Sequence, residues 1–149
     1  MKIYLDNCCY NRPYDDQKQM RINLETQAKL YIQQLIIQKK LRFVCSFILR
    51  YENSVNPNIS NRDSISQFFI NACEYVGSEN IEEIRKSADD IMNHGIKMKD
   101  ASHLACAIKA ECDYFLTTDD KLIKRYKGQL IKVLSPLAFL EYLEDNKDA

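Results

Sequence analysis

Short apolar runs alternate along this chain with longer stretches of helical period, and no other feature limits its fold as strongly. Ile3–Leu5, Arg42–Ser46, Tyr114–Thr117 and Leu130–Leu134 have the length and composition of strands, with Tyr75-Val76 a minor fifth. Parallel neighbours need a long crossover between them, and helices of this period supply it. The pattern therefore predicts an α/β fold: a three-layer α/β/α sandwich around a central parallel sheet of about four to five strands. At 149 residues the chain is expected to form a single domain over 1–149, with the tail 144–149 frayed.

The helices follow from spacing. A long one is expected from about Asp16 to Lys39, opened by an Asp16/Gln19 capping box, with Met20, Leu24, Ala28, Tyr31, Ile32 and Leu35 as its buried stripe. Asn7–Tyr14 before it and Asn53–Asn61 after the next strand read as polar loops. Between them a short helix carries Phe47, Ile48, Leu49, Tyr51 and Glu52. Ile65, Phe68, Phe69 and Ala72 mark another helix. Ile81, Ile84, Ala88, Ile91 and Met92 mark the one after it, which Gly95 would stop. Ala101, Leu104, Ala105 and Ile108 share a face of a helix that begins at Asp100 as N-cap and ends at Cys112-Asp113. Leu122 and Ile123 fit a short helix and Pro136–Leu143 a terminal one.

Charge narrows the function classes. Twenty-one Lys and Arg balance 21 Asp and Glu, so a protein that coats nucleic acid non-specifically is excluded and any such contact must be a local patch. The six cysteines form no C-x-x-C pair and no zinc spacing. Cys45, Cys73 and Cys106 read as small buried hydrophobes. No stretch has the length of a membrane span, and Met1-Lys2 leads directly into a strand without a signal peptide. A reducing, cytoplasmic setting fits best.

The chemistry lies in the acids. Asp6 ends the first strand, Asp119 stands just past the fourth, and Asp100 opens the helix between them. Each alone reads as a cap or turn residue. Glu52, about two turns into its helix, alone reads as a solvated glutamate but is long enough to reach back to the strand edge. Ligands bind at the carboxyl edge of such a sheet. Four carboxylates meeting there repel one another, and a hard divalent cation with oxygen ligands, Mg²⁺ or Mn²⁺, relieves that cost.

At this point the residues resemble a known family, the PIN-domain nucleases, including VapC-type toxins of bacterial toxin–antitoxin pairs. The resemblance spans Met1 to about Leu134. It is carried by I-Y-L-D at 3–6, S-F-I-L-R-Y-E at 46–52 and, most specifically, D-A-S-H-L-A-C-A-I-K-A-E-C-D-Y-F-L-T-T-D at 100–119. It implies Asp6, Glu52, Asp100 and Asp119 as catalytic, metal-binding acids holding one or two Mg²⁺ or Mn²⁺ ions. Thr117 would orient the last acid, and Asp120 competes for the fourth position. The family often has a small hydroxyl residue after the first acid; here stand Asn7-Cys8-Cys9, and Asn7 is the secondary candidate for that contact. The resemblance further implies an RNA substrate, a homodimer and a cognate antitoxin.

Arg12 is a candidate to grip a substrate phosphate, weighed equally against a structural ion pair. Lys121, Lys124, Arg125 and Lys127 adjoin Asp119 and are candidates for the nucleic-acid backbone, against the simpler reading of a solvated helix face. His103, one turn after Asp100, reads as a helix histidine with a local hydrogen bond rather than a general base. The function expected is thus a metal-dependent endoribonuclease. The alternatives are a catalytically silent PIN-like module that binds RNA or protein, and a haloacid-dehalogenase-like phosphatase. The phosphatase needs a second Asp two residues after its nucleophile, where this chain has Cys8.

Overall fold

A computed structural model describes residues 1–147. Its elements, in order, are β1 (Lys2–Leu5), α1 (Asn7–Asn11), α2 (Met20–Ile37), β2 (Arg42–Ser46), α3 (Phe47–Ser54), α4 (Ile59–Phe69), β3 (Glu74–Val76), α5 (Ile81–Met92), α6 (Met98–Lys109), β4 (Tyr114–Leu116), α7 (Asp120–Arg125), β5 (Lys132–Leu134) and α8 (Pro136–Asp145). The five strands form one parallel sheet in the order β3-β2-β1-β4-β5, as the alternation of strand and helix predicts. Ile3 pairs with Phe43 on one side and with Tyr114 on the other, so β1 is the centre of the sheet. The chain builds outward from β1 through β2 to β3, then returns to add β4 on the other flank. That reversal makes the β1/β4 boundary a topological switch point.

Helices pack on both faces because the sheet is apolar on both. Ile3, Tyr4, Leu5, Phe43, Val44, Phe115 and Leu116 are all fully buried, the signature of parallel strands. Tyr4 stacks on Phe115 with centroids 5.3 Å apart, and Phe43 stacks on Phe68 at 4.7 Å. Burying an aromatic ring of this size stabilises the fold by about 2–3 kcal/mol. α5 packs on α6 and α2 on α8; since parallel crossovers are right-handed as a rule, the reversal of strand order puts these two pairs on opposite faces. Among the described residues no helix is long and apolar enough to cross a membrane.

Several boundaries differ from expectation for local reasons. Asn7–Asn11 is helical because Asp6 caps it, and Arg12–Tyr14 continues as a 3-10 turn, so the expected 7–14 loop is ordered. Asp16 accepts from the Lys18 N–H in a turn and builds no capping box, and α2 starts only at Met20. Its stripe is rotated: Ala28, Ile32 and Ile36 are buried with Glu25, Thr26 and Lys29, while Met20, Leu24 and Tyr31 face solvent. α3 extends to Ser54 and α4 begins at Ile59, capped by Asn58, which leaves a shorter loop than 53–61. β5 covers only Lys132–Leu134 of the expected 130–134. Cys73 is exposed, whereas Cys45 and Cys106 are buried. α8 continues through Asp145, so Glu144 and Asp145 are helical; residues 148–149 of the expected tail lie outside the described residues.

α6 also departs from its expected limits. It begins at Met98, after Lys97, which makes Asp100 the third helical residue rather than the cap. An acid in the first turn still meets the positive end of the helix. The helix ends at Lys109 because Glu111 turns left-handed at φ 56°. The Glu111 and Cys112 N–H groups then bond back to the Ile108 and Ala107 carbonyls, both at 2.9 Å, in a Schellman arrangement.

Candidate active site at the switch point

The first acid is fixed by the sheet itself. Asp6 directly follows β1, and its N–H still donates to Leu116 O at 2.9 Å, extending the β1/β4 pairing by one bond. Its side chain is nearly buried. Oδ1 accepts from the Asn7 N–H at 2.8 Å, and Oδ2 accepts from the Thr117 hydroxyl at 2.9 Å. Asn7 thus contributes through its backbone. The thiol of Cys8 lies 3.6 Å from Oδ2 and 3.5 Å from Thr117 Oγ1.

Thr117, fully buried just past β4, joins two of the acids. The same Oγ1 that donates to Asp6 accepts from the Asp119 N–H at 3.1 Å. Asp119 caps α7, accepting from the Lys121 and Leu122 N–H groups. Asp120 points away from this cluster: Arg21 grips it with two bonds of 2.7 Å, and that contact holds its carboxyl below the ordinary carboxylate range.

Asp100 is half-buried in the first turn of α6. Burial raises its carboxyl above the ordinary value, and the charges of Asp6 and Asp119 raise it further against the pull of His103 and Lys99. Asp6, Asp100 and Asp119 therefore share one electrostatic neighbourhood, and Asp120 is not part of it.

Glu52 stands on the same edge but is already partnered. His103 Nε2 bonds Oε1, and Lys99 Nζ is 2.9 Å from Oε2. Burial opposes its ionisation, yet these two partners hold its pKa below the ordinary value. His103 is fully buried, and its other nitrogen, Nδ1, lies 2.6 Å from Tyr4 Oη. Tyr4 Oη in turn lies 2.7 Å from Ser46 Oγ, which caps α3. The expected local hydrogen bond of His103 is replaced by this buried chain from β2 through β1 and α6 to Glu52. Neither His103 nor Lys99 stood out as a Glu52 partner in the sequence, because their contacts join residues 51 and 47 positions apart.

The cationic candidates divide. Lys121 and Arg125 line a hollow of about 60 Å³ together with Asp100 and Asp119, beside the acids as expected. Lys124 faces Asp120 instead, and Lys127 meets His94 through its backbone N–H. Arg12 is bound to Asp15 at 3.0 Å and Glu25 at 3.1 Å, the structural ion pair rather than a free phosphate grip.

Hard carboxylate oxygens are the ligands Mg²⁺ and Mn²⁺ prefer, and the raised pKa of Asp100 is the strain a cation would relieve. The donor chemistry of Asp6, Asp100 and Asp119 fits such an ion. The spacing is looser: among the described residues no three His, Cys, Asp or Glu side chains stand within reach of one ion, and Glu52 is committed to Lys99 and His103.

A five-stranded parallel sheet in this order, with helices on both faces and acids at its switch point, defines a PIN-like fold. Solved structures agree. FitAcB from Neisseria gonorrhoeae superposes with a TM-score of 0.57 at 16% identity, over 91% of this chain and 98% of that one. VapBC2 from Rickettsia felis, bound to a DNA fragment from its promoter, gives 0.54 at 15% identity, over 89% and 97%. FitAB bound to an IR36 DNA fragment gives 0.53 at 18%, over 90% and 94%. At these identities the likeness is one of fold. No protein-family model matches the sequence, and no curated protein matches it either.

Proposed function

We propose that this protein is a divalent-metal-dependent endoribonuclease and the toxin of a toxin–antitoxin pair. The observation that carries the reading is Thr117, whose one hydroxyl ties the side chain of Asp6 to the backbone of Asp119 next to a strained Asp100. Two acids from distant parts of the chain are thereby joined, and the charge of both acts on Asp100, at the edge where α/β enzymes bind ligands. Asp6, Asp100 and Asp119 would hold one or two Mg²⁺ or Mn²⁺ ions, with Glu52 joining once Lys99 releases it. The cation, when bound, supplies an activated water and neutralises charge developing on the phosphoryl oxygens. The residues themselves do the rest. Thr117 keeps the Asp6 and Asp119 arms in register, His103 holds Glu52 toward the edge, and Lys121 and Arg125 offer charge to the RNA backbone beside Asp100 and Asp119. The sequence resemblance to VapC-type toxins implies a homodimer and a cognate antitoxin, and the fold shared with the VapBC2 structure supports the antitoxin.

The test is cleavage of a mixed RNA pool with and without EDTA, comparing wild type with Asp100→Asn. Activity should need divalent metal and fall at least ~100-fold in the variant, as when a principal electrostatic group is lost. Cleavage that persists in EDTA refutes the proposal. The commitment of Glu52 to Lys99 and His103 favours one second reading, a silent PIN-like binding module. RNA binding without any heat of Mn²⁺ binding in calorimetry would establish it.

A further inference from the structure

Away from the acids, α3, α4 and β3 enclose a cavity of about 770 Å³ that the proposed chemistry does not use. Its walls are chemically mixed. Arg50 and Arg62 bring two guanidinium groups, and Tyr75 and Phe69 bring aromatic rings. The Arg50 guanidinium sits 5.3 Å from the Tyr75 ring centroid, and among the described residues no carboxylate lies within salt-bridge distance of it. Among the described residues the Arg62 side chain meets one carboxylate, that of its neighbour Asp63, at 4.0 Å. The one acid in the wall, Glu74, is neutralised by Lys2 at 3.0 Å. The walls are braced, because Asn53 of α3 donates to Arg62 O at 3.0 Å and to Ser66 Oγ at 2.9 Å on α4.

Two guanidiniums that no carboxylate hydrogen-bonds, beside an exposed tyrosine, form the combination that holds a phosphate and stacks a base. The cavity also has a defined relation to the acids. Arg50 and Glu52 are two residues apart on α3, about 200° around the helix, so they face opposite flanks of a cylinder ~10 Å across. Tyr51, exposed between them, lines the hollow that contains Glu52. Tyr75, Arg50, Tyr51 and Glu52 thus lead from the cavity over α3 to the acidic edge.

We infer that this cavity is a nucleotide subsite. It takes one nucleotide of single-stranded RNA a few positions from the phosphate at the acids, its base on Tyr75 and its phosphate between Arg50 and Arg62. The inference rests on the nuclease reading for its substrate but is tested by binding rather than by cleavage. In EDTA, the anisotropy of a fluorescein-labelled single-stranded 12-mer RNA would be titrated with wild type, Arg50→Gln/Arg62→Gln, Tyr75→Ala and the control Arg42→Gln. Arg42 is exposed at the amino end of β2 and lines neither the cavity nor the acidic edge. Thermal melts would confirm that each variant folds, and Tyr75→Ala provides an independent probe of the cavity. The double variant should bind at least ~10-fold more weakly with a salt slope smaller by about 0.7, and Tyr75→Ala ~5-fold or more weakly, with Arg42→Gln unchanged. Wild-type binding by both cavity variants overturns the subsite, and the nuclease reading stands if metal-dependent cleavage persists. Calorimetry with 5′-UMP and 5′-AMP forms the second arm: mononucleotide binding without RNA binding overturns RNA as the source.

Discussion

Thr117 is where a single atom has the most to do. Its hydroxyl satisfies a buried oxygen of Asp6 and the Asp119 N–H together. Thr117→Val keeps the volume and removes both bonds, so stability should fall by about 1–2 kcal/mol in guanidinium unfolding. RNA cleavage should fall ~10-fold or more, and Thr117→Ser should restore both. Wild-type cleavage in the valine variant would separate Thr117 from the chemistry. This residue was legible in the sequence through the T-x-D pattern of the resemblance, whereas its bond to Asp6 spans 111 positions. Glu52 was legible as a candidate acid near the strand edge, but its partners were not. Its buried chain through His103 to Tyr4 crosses 51 and then 99 positions, and no periodicity reports such a contact. Arg12 shows the same limit. Its partner Glu25 is buried on α2, at a position where sequence spacing placed no charge.

At the scale of elements, the helix ends carry the clearest consequence. α2 closes as α6 does, with Lys39 left-handed at φ 61° and the Lys39 and Lys40 N–H groups bonding the Ile36 and Leu35 carbonyls at 2.9 Å. Both Lys39 and Glu111 occupy the position where glycine is preferred. Lys39→Gly and Glu111→Gly should each raise stability by ~0.5–1 kcal/mol, additively because the sites are independent. A loss of stability in chemical denaturation would contradict the assigned caps. The strands and their parallel sheet could be argued from sequence, since short apolar runs alternate with helices. Helix ends and faces could not, because non-glycine caps leave no signature. α2 buries Glu25, Thr26 and Lys29, so its polar residues masked the true stripe.

For the whole molecule, buried thiols set the alkaline limit. Burial pushes Cys45 up to about 11 and Cys106 and Cys112 up to about 12, from an ordinary 9.0. Between pH ~9 and ~11 the unfolded chain releases thiol protons that the folded chain keeps, so stability falls by about 1.4 kcal/mol per pH unit for each thiol. Lys29 acts in the opposite sense: burial lowers it from 10.5 to about 8, and the unfolded chain holds a proton there that the folded chain has lost. One lysine opposes these three thiols and Cys9, which Cys8 and burial also raise, and Tm under reducing conditions should drop steadily above pH 9; a flat or rising Tm would contradict the burial of those cysteines. The fold, the acids and their common edge were legible from spacing and motif, but the cation pairing of Glu52 was not. That pairing makes metal binding the central question. Crystals soaked in millimolar Mn²⁺ and measured at the manganese edge should show anomalous density beside Asp6, Asp100 and Asp119, absent in Asp100→Asn. Wild-type crystals without manganese density at that edge would contradict the account.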